Sequence, residues 1–390
     1  MLDMEIVLIT NIINHYMLPW IEEMNLISGV NAYFVETTQL SDSFKKAGFL
    51  EYEDTSKIIR AWKDQESWNH AMNLAITADV MIIGAAGVPR EFERRRLRKG
   101  LLTFEHSERP LKKGLINLLS PRILNAQLHY HIYRKKPLYM LCFSAFTAHD
   151  EYLMHSYKGR CFRFGYLPRI NHFDITDRLE KKKGKKIRFI WCARFISWKH
   201  PELVVLLAEK LARDGYDFEI NMIGSGVLFN DIKEMIDGKG LGKYVHLLGN
   251  YPNPEVLNIM SEHHIFLFTS DKQEGWGVVL NEAMGQGCCP IASNEIGATP
   301  YLLSHQENGL IFQSRNLDSL YHNTKYLLDN TNMIEVFSVK AYETVSKLWN
   351  PQIVAERFVN LCHSLLRGEP TIYKKGPCSI ALSGDCKINL

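Results

Sequence analysis

This sequence contains no Cys-x-x-Cys pair. Its eight cysteines, Cys142, Cys161, Cys192, Cys288, Cys289, Cys362, Cys378 and Cys386, also lack any ligand spacing with histidine, so reduced thiols in apolar runs are expected and a zinc site is not. No strand-like run leads into Gly-x-Gly-x-x-Gly with an acidic residue about 20 positions on, which argues against a nicotinamide oxidoreductase. No apolar run approaches the roughly 18 to 20 residues of a membrane span. Residues 1–29 include acidic groups and no cationic start ahead of an apolar core, so no secretory signal is read and the cytoplasm is the expected compartment. Short-period repeats are absent as well. What the chain does have is a 46% apolar share over 390 residues and a net charge of only +3, the profile of a globular protein long enough for two domains.

Short apolar runs alternate with amphipathic segments along the whole chain, the pattern of βαβ units and parallel sheets. In the first half strands are expected at residues 5–10, 31–36, 80–85, 101–106 and 138–145. Charge and glycine replace the apolar pattern at RLEKKKGKK, residues 178–186, which reads as a solvated linker. Strands then resume at 187–193, 218–224, 245–249, 265–270, 290–293 and 309–312. The expected fold class is α/β, with two Rossmann-like doubly wound domains facing across a cleft, because ligands of such sheets bind beyond the carboxyl ends of the strands.

The stretch TSDKQEGWGVVLNEAMGQG, residues 269–287, takes the chain from a strand into a helix and holds Glu274 and Glu282 with glycines between them. Gly275 and Gly277 stand where a helix begins, so free N–H groups of Trp276, Gly277 and Val278 and the positive dipole end suit a phosphate. Helical rise throughout would place the two carboxylates roughly 12 Å apart, about the reach of a sugar joined to a ribose through a diphosphate. Cations come from CARFISWKH, where Arg194 and Lys199 follow the first strand of this domain; arginine can grip a phosphate with two parallel bonds and lysine adds a mobile charge. Alone, such a pair more often marks surface charge. MIGSG, with Gly224 and Gly226, is a further glycine turn at a strand end.

The net charge is unevenly spread. Residues 90–136 carry thirteen Lys and Arg against four Glu, a local +9 that leaves −6 for the rest. Interleaved apolar residues suit attraction to an anionic membrane surface or a phosphorylated acceptor, and a solvated helix face is the other reading. No recognition motif accompanies the charge, so nucleic acid is not an expected partner.

These pieces together resemble the GT-B glycosyltransferases of family 4 (glycosyltransferase group 1), of the bacterial polysaccharide-biosynthesis type. ARFISWK, MIGSG, EGWGVVLNEAMGQG and PIASNEIGATPYLL carry the likeness, over residues 187–330. The resemblance implies that Arg194 and Lys199 hold the donor diphosphate, that Glu282 binds the ribose hydroxyls and that Glu274 touches the transferred sugar. It further implies that main-chain groups near Gly249 and Asn250 meet the base. Trp276 stands where the family has Phe, and Cys288 and Cys289 where it has small or apolar residues. In the first domain it points to His15 and Tyr16 after the first strand, and to His106, Ser107 and Glu108 at a later strand end, as acceptor-side candidates, with His106 catalytic; a structural ring is the other reading of each histidine. FRFGYLP, residues 162–168, resembles the connection between domains.

The implied layout is an acceptor domain at 1–170, a linker at 171–186, a donor domain at 187–345, and a helix and tail at 346–390 crossing back to the first domain. The implied activity is a retaining glycosyl transfer from a nucleotide-sugar, a UDP-sugar preferred, to a saccharide or polyprenyl-linked acceptor. The other major glycosyltransferase fold holds a divalent cation with Asp-x-Asp, which this sequence lacks, so no metal or cofactor is expected. A GT-B epimerase, a phosphorylase and a non-catalytic nucleotide-sugar-binding scaffold are the alternatives.

Overall fold

A computed structural model describes residues 3–41, 52–53, 55–84 and 87–388. The chain folds as two compact units, one formed by Met1–Arg169 with Leu348–Cys386 and the other by Ile170–Lys347 with Lys387–Leu390. Among the described residues no helix is long and apolar enough to cross a membrane.

The first unit is built on β1 (Met4–Thr10), β2 (Val30–Glu36), β3 (Ile58–Arg60), β4 (Val80–Gly84), β5 (Leu102–Ser107), β6 (Leu138–Cys142) and β7 (Cys161–Arg163). They lie parallel in the order β3-β2-β1-β4-β5-β6-β7. The inner strands are continuous apolar runs because helices cover both faces of a parallel sheet; every residue of β4 is buried. Helix Gln65–Thr77 begins where Asp64 accepts from the Ser67 N–H at 2.7 Å. Strands β3 and β7, three residues each, were not expected. Residues 162–168 therefore start as a sheet edge and not as an inter-domain connection. The C-terminal tail covers that edge: the Arg163 N–H donates to the Ser379 carbonyl and the Cys378 N–H to the Arg163 carbonyl, both at 2.8 Å. Helix Pro351–Leu366 packs on helix Leu18–Met24, with the Phe358 ring edge-on to Trp20 at 5.0 Å.

The second unit carries β8 (Ile187–Cys192), β9 (Phe218–Ile223), β10 (Val245–Gly249), β11 (Ile265–Phe268), β12 (Cys289–Ser293) and β13 (Leu310–Phe312), parallel in the order β10-β9-β8-β11-β12-β13. The order reverses between β8 and β11, and in the first sheet between β1 and β4, so these are the positions where loops diverge and leave room for a ligand. The solvated reading of residues 178–186, within the expected linker at 171–186, is corrected here. The linker contains helix Ile175–Glu180, and Lys182 is buried, its ammonium donating to the carbonyls of His263 at 2.6 Å and Gly287 at 3.2 Å. A charged side chain tolerates burial when carbonyls replace its water.

Candidate functional site

At the reversal point of the second sheet, the loop after β8 supplies Arg194 and Lys199 and the loop after β11 supplies Asp271 and Glu274. Lys199 and Glu274 form an ion pair, both largely enclosed. The two loops are tied together: the Asp271 N–H donates to the Trp198 carbonyl at 2.9 Å, and the Thr269 hydroxyl to the Lys199 carbonyl at 2.5 Å. Arg194 is exposed, its guanidinium 5.6 Å from the Trp198 ring centroid. Glu282, on helix Val279–Gly285, accepts from the Asn253 amide at 2.8 Å.

The glycines have distinct jobs. A Cβ on Gly224 would collide with the Ala193 carbonyl and one on Gly226 with the Phe195 backbone, because the turn after β9 lies directly against the loop after β8; the Phe195 N–H donates to the Ser225 carbonyl at 2.8 Å. These glycines position the cation-bearing loop. Gly277 adopts φ +89°, and a Cβ there would stand 2.6 Å from the Phe268 ring. Gly275 is buried and Val278 half-buried. The Trp276 side chain is buried, donating from its ring N–H to Asn281 at 2.9 Å. Gly249 accepts from the Gly224 N–H at 2.8 Å, and Asn250 donates to the Ser225 hydroxyl at 2.8 Å.

Sequence reasoning passed over Asp271, His200, Arg315 and Asn253. Asp271 pairs with Arg315, lies 3.3 Å from His200 Nε2, and accepts from the Gln273 N–H at 2.9 Å. Burial works to raise its pKa, but these partners hold the carboxyl below its ordinary value, while the hydrogen bond to Glu202 leads in raising that of His200. Asp271 had a visible signal, an acid just beyond a strand; Arg315 had none.

In the first unit a cavity of about 690 Å³ opens at the ends of β1, β4 and β5, lined by Asn11, Asn14, His106, Glu108 and Tyr166, and by Arg90, Arg109, Lys112, Lys113 and Arg122. Burial lowers the His106 pKa to about 4, so the ring is neutral near pH 7, and its Nε2 has no hydrogen-bond partner among the described residues. The Ser107 hydroxyl donates to the Glu108 carbonyl at 2.7 Å, and Glu108 pairs with Lys112. Thus His106, Ser107 and Glu108 line the cavity. His15 and Tyr16 are not among its lining residues; their rings lie 3.8 Å apart, and the Tyr16 carbonyl accepts from the Leu167 N–H at 3.0 Å.

Beneath the cavity Arg90 bonds to Glu93 at 2.7 Å and to Glu105, His129 Nε2 stands 2.9 Å from Glu93, and Tyr157 donates to Glu105 at 2.6 Å. Burial, then the Glu93 charge, pushes the Glu105 pKa up to about 8, and burial pushes that of Glu151 to about 7. Glu93, Glu105 and His129 are close enough to hold a metal ion, but the guanidinium of Arg90 already serves both carboxylates. Arg96 corrects the reading of the 90–136 cations as all solvated or membrane-facing. It is buried and donates to the carbonyls of Ala75, Ala78, Asp79 and Leu102 at 2.7–3.1 Å, capping the end of helix Gln65–Thr77.

Residues 173–344 match the family Glycosyl transferases group 1. This stretch belongs to that family. The chain also aligns with the phosphatidylinositol N-acetylglucosaminyltransferase GPI3 subunit of Saccharomyces cerevisiae, 25% identical over 48% of this chain and 41% of the relative. A second relative is the N-acetylgalactosamine-N,N'-diacetylbacillosaminyl-diphospho-undecaprenol 4-alpha-N-acetylgalactosaminyltransferase of Campylobacter jejuni, 27% identical over 35% of this chain and 36% of the relative. The chain thus spans less than half the length of these curated relatives. Anabaena HepE, solved in complex with UDP, superposes with TM-score 0.66 at 13% identity over 93% of this chain and 100% of that one. The likeness shows the fold, the two Rossmann-like domains of GT-B glycosyltransferases.

Proposed function

We propose that this chain transfers a sugar from a nucleotide-sugar, UDP-linked by preference, to a lipid-linked saccharide acceptor in bacterial surface polysaccharide biosynthesis. Transfer retains the anomeric configuration, needs no metal ion, and takes place in the cytoplasm at the inner face of the membrane. The observation that carries the reading is the Lys199–Glu274 ion pair, with Arg194 on the loop that supplies Lys199 and Glu282 on the adjoining helix, in a group 1 segment.

Breaking the bond from the anomeric carbon to the diphosphate oxygen leaves growing negative charge on the phosphate. Lys199 and Arg194 neutralise it, doing the work a divalent cation does elsewhere. Glu274 accepts from a hydroxyl of the transferred sugar, and Glu282, held by Asn253, accepts from the ribose. The acceptor oxygen bonds to the anomeric carbon on the face the phosphate leaves, and its proton passes to that departing oxygen. In the first unit Lys113 and Arg122, exposed on the cavity lining, suit a phosphate-bearing acceptor, and neutral His106 can accept a hydrogen bond from its hydroxyl. The UDP bound by Anabaena HepE and the diphospho-undecaprenol in the Campylobacter relative's name favour those substrate classes.

The test is transfer by purified protein, from a panel of nucleotide-sugars to a polyprenyl-diphosphate saccharide, in excess chelator. Activity should persist, and Lys199→Ala should lower kcat by about a hundredfold or more while donor affinity changes less. Sugar turnover without acceptor, or activity that returns only with magnesium or manganese, overturns the reading.

A further inference from the structure

Six of the fifteen large apolar side chains exposed among the described residues fall within one stretch of eighteen residues, while the others are scattered. Leu115, Ile116 and Leu119 lie on the single-turn helix Leu115–Leu119, and Leu124, Leu128 and Ile132 repeat every four residues along helix Pro121–Tyr133. All six are between 56% and 78% exposed. The opposite face of the longer helix is occupied: Ile123, Ala126 and Gln127 line the first-unit cavity, and Tyr130 packs on Tyr157 at 4.3 Å. A helix inward on one side and apolar on the other has an unmet partner on that second side.

We infer that this outer face docks on an anionic lipid bilayer. Residues 109–136 contain seven Lys and Arg and no Asp or Glu, and Lys113, Arg122, Arg134 and Lys135 are exposed beside the leucines. Apolar side chains enter the acyl boundary while cations meet the headgroups. A second copy of the chain fits poorly, because a two-fold contact would set this acid-free stretch against itself. The docking element is therefore not helix Arg90–Lys99, where Arg96 is buried and Arg90 and Arg95 are paired with glutamates. The same stretch that meets the bilayer supplies Lys112, Lys113 and Arg122 to the cavity, so a phosphate carried on a lipid would reach those cations from the membrane side. The inference deepens the lipid-linked acceptor reading, but vesicle binding measures it without catalysis, so either can fail alone.

Sedimentation with phosphatidylglycerol-containing vesicles, against pure phosphatidylcholine, tests it. The protein should pellet with the anionic vesicles, be released by high salt, and pellet little with the neutral ones. Leu124→Gln, Leu128→Gln and Ile132→Gln together should lower partitioning about tenfold or more, with an unchanged circular dichroism spectrum, whereas Arg94→Gln, Arg98→Gln and Lys99→Gln should matter far less. Equal pelleting of the parent and the triple variant overturns the inference. So does a concentration-dependent dimer in sedimentation velocity that the triple substitution abolishes, which would assign the face to a second copy.

Discussion

The two units use the same parallel-sheet logic but build their candidate sites differently. In the second, four groups sit on two loops and one helix beside the β8–β11 reversal, and Lys199 compensates Glu274 there. In the first, the groups come from strand ends, from helix Arg90–Lys99 and from the 109–133 stretch, over a buried network of Arg90, Glu93, Glu105 and His129. A loop-borne site can be altered with little consequence for folding. A site resting on buried charge cannot, because an unpartnered charge or carbonyl inside the protein costs far more than one at its surface.

The sharpest way to break this comparison is Arg96→Met. It removes the donor from the carbonyls of Ala75, Ala78, Asp79 and Leu102 and should cost about 3 kcal/mol or more. Hydrogen exchange should accelerate in helix Gln65–Thr77 and stay unchanged in helix Pro201–Arg213; equal effects in both would show that the units do not differ as described.

Acid separates the units next. Burial lowers the pKa of His263 and of His264 to about 4. Between the unfolded value of about 6.5 and that folded value the unfolded chain binds more protons, so the second unit loses stability as the pH falls through this window, by up to about 2 kcal/mol for each histidine from pH 7 to 5. His106 acts in the same direction in the first unit, but Glu105, at about 8, has the opposite sign. It keeps its proton in the folded state from about pH 4.5 to 8, so its contribution weakens as the pH rises. The first unit should therefore change less, as unit-resolved hydrogen exchange at pH 5 and 7 would show.

The smallest effect is expected from Asn253→Ala. Losing its 2.8 Å bond to Glu282 should weaken UDP binding by about 1 kcal/mol, roughly fivefold, in a calorimetric titration, with no change in folding. Unchanged affinity would detach Glu282 from the donor.

Eleven of the thirteen strands among the described residues, and the Glu274–Glu282 motif, were legible because each depends on neighbours a few positions away, through an apolar run, a strand end or a glycine turn. The three-residue strands β3 and β7 were not, since they are held by pairing with β2 and β6 rather than by any pattern of their own. Two runs of identical residues mark the boundary. Lys181, Lys182 and Lys183 look alike in sequence, as do Arg94, Arg95 and Arg96, yet in each run one member is buried and the other two are exposed. The sequence by itself determined the alternating α/β order and the charge of these segments. Which cation leaves water was decided only by tertiary structure, because its desolvation is offset solely where carbonyls from distant positions converge: His263 and Gly287 on Lys182, and Ala75, Ala78, Asp79 and Leu102 on Arg96.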